Sequence, residues 1–442
     1  MQRFRRSLAM ALAAVLLLAC FGLGVSAADA GFTITNPYAG VDWGAYSPYR
    51  GNLHTHSTLS DGGTNFSDMV ERHYELGYDF LAMTDHGTVD RSWTRLNSAW
   101  LIQTALNLGK GGGRESTPLT EARWQALSTG ADRNGRGMLR VPFGIEQNPT
   151  SLNNAHVGSW FADFGHGLLG GTSDYETPVR GVNKAGGLCV LNHVGRYTSQ
   201  DGKPAADAYE GFWNTYYIFK IQRLLEKYPA LLGIDVNSKR DGETRNDRKL
   251  WDKLLMNLAP AGRNVLGLAT SDTHGLDGVD TGFIWALMPE NTVDNLKACL
   301  KSGAFFAAAH DIKNPAELKQ WAQETGLPLG DAWRAAPEAL EPMITSITAQ
   351  AGVITVETEN DLAIHWVSDG KVVATGDSIT LDGCEALGAY VRAEVFGQGG
   401  VLYTQPFLLQ YDGMPKGSPV PWYFVDLGGI LAVFRRIALL FM

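Results

Sequence analysis

The stretch Asn52-Leu53-His54-Thr55-His56-Ser57-Thr58-Leu59-Ser60-Asp61-Gly62 decides how the rest of the chain is read. Side chains two apart on an extended segment point the same way, so His54 and His56 offer two imidazoles to one cation. Asp61 comes next in the Ser60-Asp61-Gly62 turn, where the chain can fold back over the same mouth. A His-x-His pair alone is a weak signal. Its weight comes from the polar clusters further along the chain: Thr84-Asp85-His86-Gly87, Gly144-Ile145-Glu146, Asn154-Ala155-His156, Asn192-His193-Val194-Gly195 and Ser271-Asp272-Thr273-His274-Gly275. With His54 and His56, six of the ten histidines fall in such clusters, interleaved with carboxylates, which argues for a multinuclear metal site rather than scattered structural imidazoles. Glu146 stands at the end of the Val141 to Ile145 run, and a carboxylate can bridge two metals where a neutral imidazole cannot. Water held between two cations becomes acidic and oriented. His73, His166, His310 and His365 stand outside the clusters and read as structural or surface histidines.

Working outward, short β-like runs alternate with helical stretches from Gly51 to about His310, as in a parallel sheet wrapped by helices. Tyr78–Met83, Met138–Phe143, Gly187–Leu191, Leu232–Val236 and Val265–Ala269 read as strands. Most of the polar clusters lie at the C-terminal end of one of them, where loops leaving a parallel α/β structure converge on one pocket. Ser67–Tyr74 and Arg245–Leu258 carry apolar residues near helical spacing. Gly111–Asn134 reads as an irregular loop with a helix at Thr120–Ser128, or as a lid.

The chain has 442 residues, 45% apolar and 19% charged, enough for one large core and a smaller domain. A net charge of -9 with no Lys/Arg-rich block argues against nucleic acid as the partner. Arg3, Arg5 and Arg6 precede an uncharged run from Leu8 to Val25, so residues 1–30 read as an export signal cleaved near Ala27 or Ala30. The expected location is secreted, periplasmic or attached to a bacterial cell envelope, with Cys20 as an alternative lipidation point. Cys189, Cys299 and Cys384 are too few and too scattered for a disulfide framework.

Residues 311–342, with Pro315, Pro328, Pro337 and Pro342 among Ala and Glu, read as a linker or small helical connector. Residues 343–411 read as a small β-sandwich, with an Asp-Gly hairpin turn at Ser368-Asp369-Gly370-Lys371. The tail 412–442 is hydrophobic, yet Asp426, Arg435 and Arg436 cost about 9 kcal/mol in a span, against roughly 5 returned by its Leu, Ile, Phe and Val. A helix on a membrane surface or packed back onto the protein fits better than a span.

Taken in order, His54-x-His56 with Ser60-Asp61-Gly62, Thr84-Asp85-His86, Glu146, His156, Asn192-His193 and Asp272-x-His274 resemble the ligand set of the PHP (polymerase and histidinol phosphatase) metal-dependent phosphoesterases. The resemblance covers about residues 48–310. It implies an α/β fold, a distorted (β/α)7 barrel, with up to three metals at the C-terminal ends of its strands. By that analogy His54, His56, Glu146 and Asp272 hold one metal, Glu146, His156 and His193 a second, and Asp61, His86 and His274 a third. Zinc, manganese or iron suits such a mixture of imidazole and carboxylate, giving two or three divalent ions in all. Export, Asn192-His193-Val194-Gly195-Arg196 and the C-terminal run Tyr390–Val395 further resemble the CehA/McbA-like secreted branch, whose namesake hydrolyses a carbamate ester.

The expected activity is hydrolysis of a small-molecule ester, phosphorylated by preference, by water held at the metals, with Glu146 central to catalysis. A carboxyl or carbamate ester is the alternative substrate. A non-catalytic, metal-stabilised surface binding protein is the alternative of a different class. Asp85 is expected either to orient a ligand imidazole or to close a turn, and Arg196 either to contact a substrate oxyanion or to pair at the surface. Trp160, Phe161, Trp213, Tyr216 and Tyr217 are candidates for the pocket mouth, with core packing as the plainer reading.

Overall fold

The computed structural model describes residues 31–98, 116–147, 155–167, 175–195, 212–239, 241 and 246–439. It is a mixed α/β protein. A five-stranded sheet holds Ile145–Gln147, Val157–Trp160, Leu188–Leu191, Leu231–Asn237 and Leu266–Ala269 in that order. The last three pair in parallel, and every residue in them is buried, as the unbroken apolar runs Leu188-Cys189-Val190-Leu191 and Leu231-Leu232-Gly233-Ile234 require. In a second, eleven-stranded sheet, Ser47–Asn52 pairs in parallel with Phe80–Leu81, which pairs in parallel with Leu139–Arg140. Gly51 lets this pairing close, since a Cβ there would lie 1.9 Å from the Phe80 ring.

Two isolated parallel bridges link the sheets at their margins, Thr55 to Thr273 and His86 to Glu146. The strand ladders themselves form no closed barrel among the described residues. Several helices bury one apolar stripe. In Phe66–Glu75 the stripe is Phe66, Met69, Val70, His73 and Tyr74, at helical spacing. Glu121–Thr129 and Val293–Ser302 start at threonines whose hydroxyls accept the N–H three residues on, and both stop at a left-handed glycine. Asn246–Leu258 buries Leu250, Trp251, Leu254, Leu255 and Leu258.

The C-terminal β region does not stand apart. Gly282–Met288 lies antiparallel between Ser47–Asn52 and Phe305–Ala309, and Phe305–Ala309 continues antiparallel to Gly400–Tyr403, which pairs in turn with Tyr390–Gly397. One core cluster therefore takes Phe80, Leu81 and Ile284 together with Trp366, Val391 and Val395. Met343–Gln350, Val353–Glu359 and Ser378–Thr380 form a separate three-stranded sheet. Within 311–342 the chain forms a helix, Pro315–Thr325, flanked by short paired strands at Asp311–Ile312 and Trp333–Arg334. The tail forms the helix Trp422–Leu439, and no helix among the described residues is long and apolar enough to cross a membrane.

Candidate metal centre

The chain stays extended past Asn52, and backbone bonds clamp the next residues from both sides. Thr84 N–H donates to Thr55 O (2.8 Å), and His56 N–H donates to Thr273 O (3.0 Å). The buried Asn52 amide donates to Thr55 Oγ1 (2.9 Å) and Ser271 Oγ (2.6 Å), tying the His54 segment to the Asp272 segment. The Trp160 indole N–H donates to Leu53 O (3.0 Å) from the far side. Three parallel strands end in the same way: His193 (φ 34°), Lys239 (φ 48°) and Asp272 (φ 44°) all adopt left-handed backbone. That conformation is uncommon for residues with a Cβ, and such strain gathers where side chains must be aimed at a site.

All nine ligand candidates converge. Glu146 Oε2 lies 3.3 Å from His54 Nε2, 3.3 Å from His56 Nε2 and 3.1 Å from His86 Nδ1. Its Oε1 lies 3.0 Å from His156 Nδ1 and 3.2 Å from His193 Nε2. Asp272 Oδ1 is 3.3 Å from His54 Nε2 and 3.1 Å from His56 Nε2, and its Oδ2 is 3.5 Å from His193 Nε2. On the outer side, Asp61 Oδ1 faces His274 Nε2 (3.3 Å), His86 Nε2 (3.7 Å) and His56 Nδ1 (3.8 Å).

These atoms fall into several overlapping sets, each close enough to hold one ion. The atoms group as His54, Glu146, His193 and Asp272; as His56, Asp61 and His86; as His56, Asp272 and His274; and as His86, Glu146 and His156. His193 groups with His54 and Asp272 and also faces Glu146 Oε1 beside His156, from a positive-φ position just after Leu188–Leu191. Glu146, Asp272, His56 and His86 each belong to two of these groups.

Electrostatics prepare these side chains for a cation. Burial pushes the His86 pKa down to about 3 and holds His156, His193 and His274 below the ordinary imidazole value, so their lone pairs are free of protons near neutrality. Burial would raise Glu146, but His54, His156 and His86 outweigh it and hold the carboxylate well below its usual range. Asp61 is likewise held down by His274, His86 and His56 against the cost of burial. Glu146 Oε2 and Asp272 Oδ1 are buried acceptors with no hydrogen-bond partner among the described residues. Carboxylate oxygens left over in this way among unprotonated imidazoles fit divalent cations.

The chain is similar to several solved proteins. One is a two-domain Bacteroides vulgatus protein containing a predicted PHP-like metal-dependent phosphoesterase, 15% identical, covering 84% of this chain and 89% of its own, with a TM-score of 0.42. Others are a proposed metal-dependent phosphoesterase from Bifidobacterium adolescentis (14% identical, 51% of this chain and 87% of its own, TM-score 0.28) and an amidohydrolase from Chromobacterium violaceum with bound sulfate (16%, 51% and 87%, TM-score 0.28). Likenesses this loose decide nothing about the site. No family model matches the chain, and no curated protein does.

Asp85 meets no ligand imidazole directly. Its Oδ1 accepts from Ser57 N–H (2.7 Å) and Ser60 Oγ (2.7 Å), its Oδ2 from Ser57 Oγ (2.8 Å), and only Ser60 Oγ reaches His56 Nδ1, at 3.3 Å. It closes the 57–60 turn that presents Asp61. Arg196 and Asn154 lie outside the described residues. Tyr216 and Tyr217 pack under Ala432 of the C-terminal helix with Trp213 against them, and Trp160 is buried core.

Two residues carry no mark in the sequence reading. Asp235, buried near the end of Leu231–Asn237, lies 3.9 Å from His54 Nδ1 and accepts from Thr270 Oγ1 (3.2 Å) and His193 N–H (3.4 Å), so it steadies two ligands from behind. Lys239 Nζ lies 2.6 Å from Asp272 Oδ2 at the partly exposed rim. The only signal that could have found them is position: both sit at the C-terminal end of a parallel strand whose end shows no histidine. Asn192 completes the support, donating to Glu146 Oε1 (2.9 Å) through space that a side chain on Gly158 would fill, since a Cβ there would lie 2.7 Å from Asn192 Oδ1.

Proposed function

We propose that this chain is an exported metal-dependent hydrolase of the PHP type that cleaves a phosphoester. The observation that carries the reading is Glu146, a buried carboxylate set among His54, His56, His86, His156 and His193 with an acceptor oxygen left for a cation. The two marginal bridges, Thr55 to Thr273 and His86 to Glu146, support reading the two sheets together as a distorted seven-stranded barrel. Export rests on the charged start and apolar run of residues 1–30.

His54, His193, Asp272 and Glu146 would hold one ion, His86, His156 and Glu146 a second, and His56 with either Asp61 and His86 or Asp272 and His274 an outer one. Bound zinc, manganese or iron supplies Lewis acidity that activates water and offsets charge on the ester oxygens. The chain does the rest. Asn192 and Asp235 fix the orientation of Glu146, His54 and His193, so little reorganisation is needed at reaction. His274, with its side chain 34% exposed, Lys239 at 21% and Asp61 at 14% mark the open side, since the other carboxylates and His54, His56 and His193 are sealed. There the Lys239 ammonium meets an entering phosphoryl oxygen and holds it in register.

Protein loaded with each metal, its content checked by elemental analysis, should hydrolyse p-nitrophenyl phosphate, and Glu146→Ala should abolish turnover. Activity on p-nitrophenyl acetate alone would move the substrate to a carboxyl or carbamate ester. Loaded protein inert on phosphomonoesters, phosphodiesters and carboxyl esters would leave a surface protein in which metals only hold the fold.

A further inference from the structure

The helix Trp422–Leu439 is fastened to the protein by a thin face. Val425, Gly428 and Ala432 are buried, and Gly428 is close enough to Tyr216 that a Cβ would lie 2.3 Å from its ring. Phe424 meets Phe219 edge to face, at 6.0 Å between centroids. The opposite face is apolar and open, with Trp422 69% exposed, Leu427 59%, Ile430 57% and Phe434 65%. Outside this helix, the exposed large apolar side chains among the described residues, Leu276, Leu340 and Leu362, are far apart in sequence. A continuous apolar helix face left outside in an acidic protein marks an interaction surface.

Charge identifies the occupant. Asp426 is the helix's one acid, and Arg223 of the neighbouring helix neutralises it at 2.9 Å. By sequence, this helix and its neighbour Phe212–Lys227 carry five basic residues, Lys220, Arg223, Lys227, Arg435 and Arg436, against two acidic ones, Glu226 and Asp426, in a chain of net charge -9. Trp422 and Tyr423 stand at the start, amphipathic rings of the kind that settle at a bilayer's headgroup level. We propose that this helix lies in the plane of an anionic lipid surface with its apolar face among the acyl chains, and so tethers the protein to a membrane. It rests on the helix alone and fails or stands separately from the hydrolase reading.

The test is flotation of the full chain with vesicles of phosphatidylcholine alone and of phosphatidylcholine mixed with phosphatidylglycerol. The wild type should float with the mixed vesicles, less so in high salt. Leu427→Glu/Ile430→Glu/Phe434→Glu, all on the open face, should remain at the bottom while keeping the native near-UV circular dichroism. Arg435→Gln/Arg436→Gln should bind about tenfold more weakly and lose its salt dependence. Residues 1–30 are the same in every protein compared, so the differences read the helix. Equal flotation of the triple variant and the wild type, or no flotation of the wild type, overturns the proposal. So does a wild-type dimer that the triple variant converts to monomer, which would assign the face to a second copy of the chain.

Discussion

Two buried regions of this molecule hold several charged groups each and solve the same problem in opposite ways. Behind Leu231–Asn237, the Arg248 guanidinium meets Asp241 Oδ2 at 2.9 Å, Glu317 Oε1 at 2.7 Å and Val236 O at 2.9 Å. Beside it, Arg392 reaches both oxygens of Asp252 at 3.1 Å. Asp241, Glu317 and Asp252 each face a permanent cation of the chain. At the histidine cluster, Glu146 and Asp61 face imidazoles instead, most of them held neutral, and Asp272 meets one lysine at the rim. The first arrangement is electrically complete and structural. The second becomes complete only when cations enter, which is why nine polar side chains there read as a site.

The comparison breaks most visibly at Glu146. Glu146→Gln should lower hydrolysis about a thousandfold and reduce the metal content, with the metal-free protein's melting temperature unchanged or raised. Arg248→Met should do the reverse, destabilising by about 3–5 kcal/mol because it leaves the buried Asp241 and the half-buried Glu317 unpaired, with metal content per folded molecule unchanged. If Glu146→Gln instead destabilised the metal-free chain as strongly as Arg248→Met, the two regions would be the same kind of network. Chelation comes next. Metal at about a hundredfold over its dissociation constant should add about 2.7 kcal/mol of stability, read as a rise in melting temperature that EDTA reverses.

Histidines outside the cluster sharpen the contrast through pH. His73 is buried, donating to Met69 O at 2.8 Å, and burial pushes its pKa down to about 4. Between that value and the unfolded imidazole's, about 6.5, the unfolded chain binds the extra proton, so stability falls as pH drops through this window, by about 2 kcal/mol at pH 5. His310 behaves oppositely: burial works against its charge, but Asp280 and Glu341 raise it to about 9, so its contribution is present below about 6.5 and fades as pH rises through 9. Urea midpoints across both windows, with His73→Gln flattening the acid limb, are the measurement. The smallest effect is at Asp235, where Asp235→Asn should weaken metal affinity about tenfold by loosening His54, with no loss of fold by circular dichroism.

Much of the site is legible in the sequence because its signals are local. His54-x-His56 and Asp272-x-His274 carry their meaning in two-residue spacing, and the unbroken apolar runs at 188–191 and 231–236 announce buried parallel strands. Other features carry no local mark. Val157–Trp160 and Ser47–Asn52 are short and broken by glycine or proline, and the pairing of Phe305–Ala309 with Gly400–Tyr403 joins segments about a hundred residues apart. Adjacency to His86 makes Asp85 resemble an orienting carboxylate, whereas its oxygens are spent on Ser57 and Ser60.

The amino-acid order alone determined which side chains could serve as ligands and that they stand at strand ends, because side-chain chemistry and short-range periodicity are written residue by residue. Tertiary structure alone decided which ligands share a cation, that Asp235 stands behind His54, that Lys239 faces Asp272, and that the last helix keeps an open apolar face. Those outcomes depend on how segments far apart in the chain pack together, and left-handed turns at His193, Lys239 and Asp272 set the final aim of each side chain.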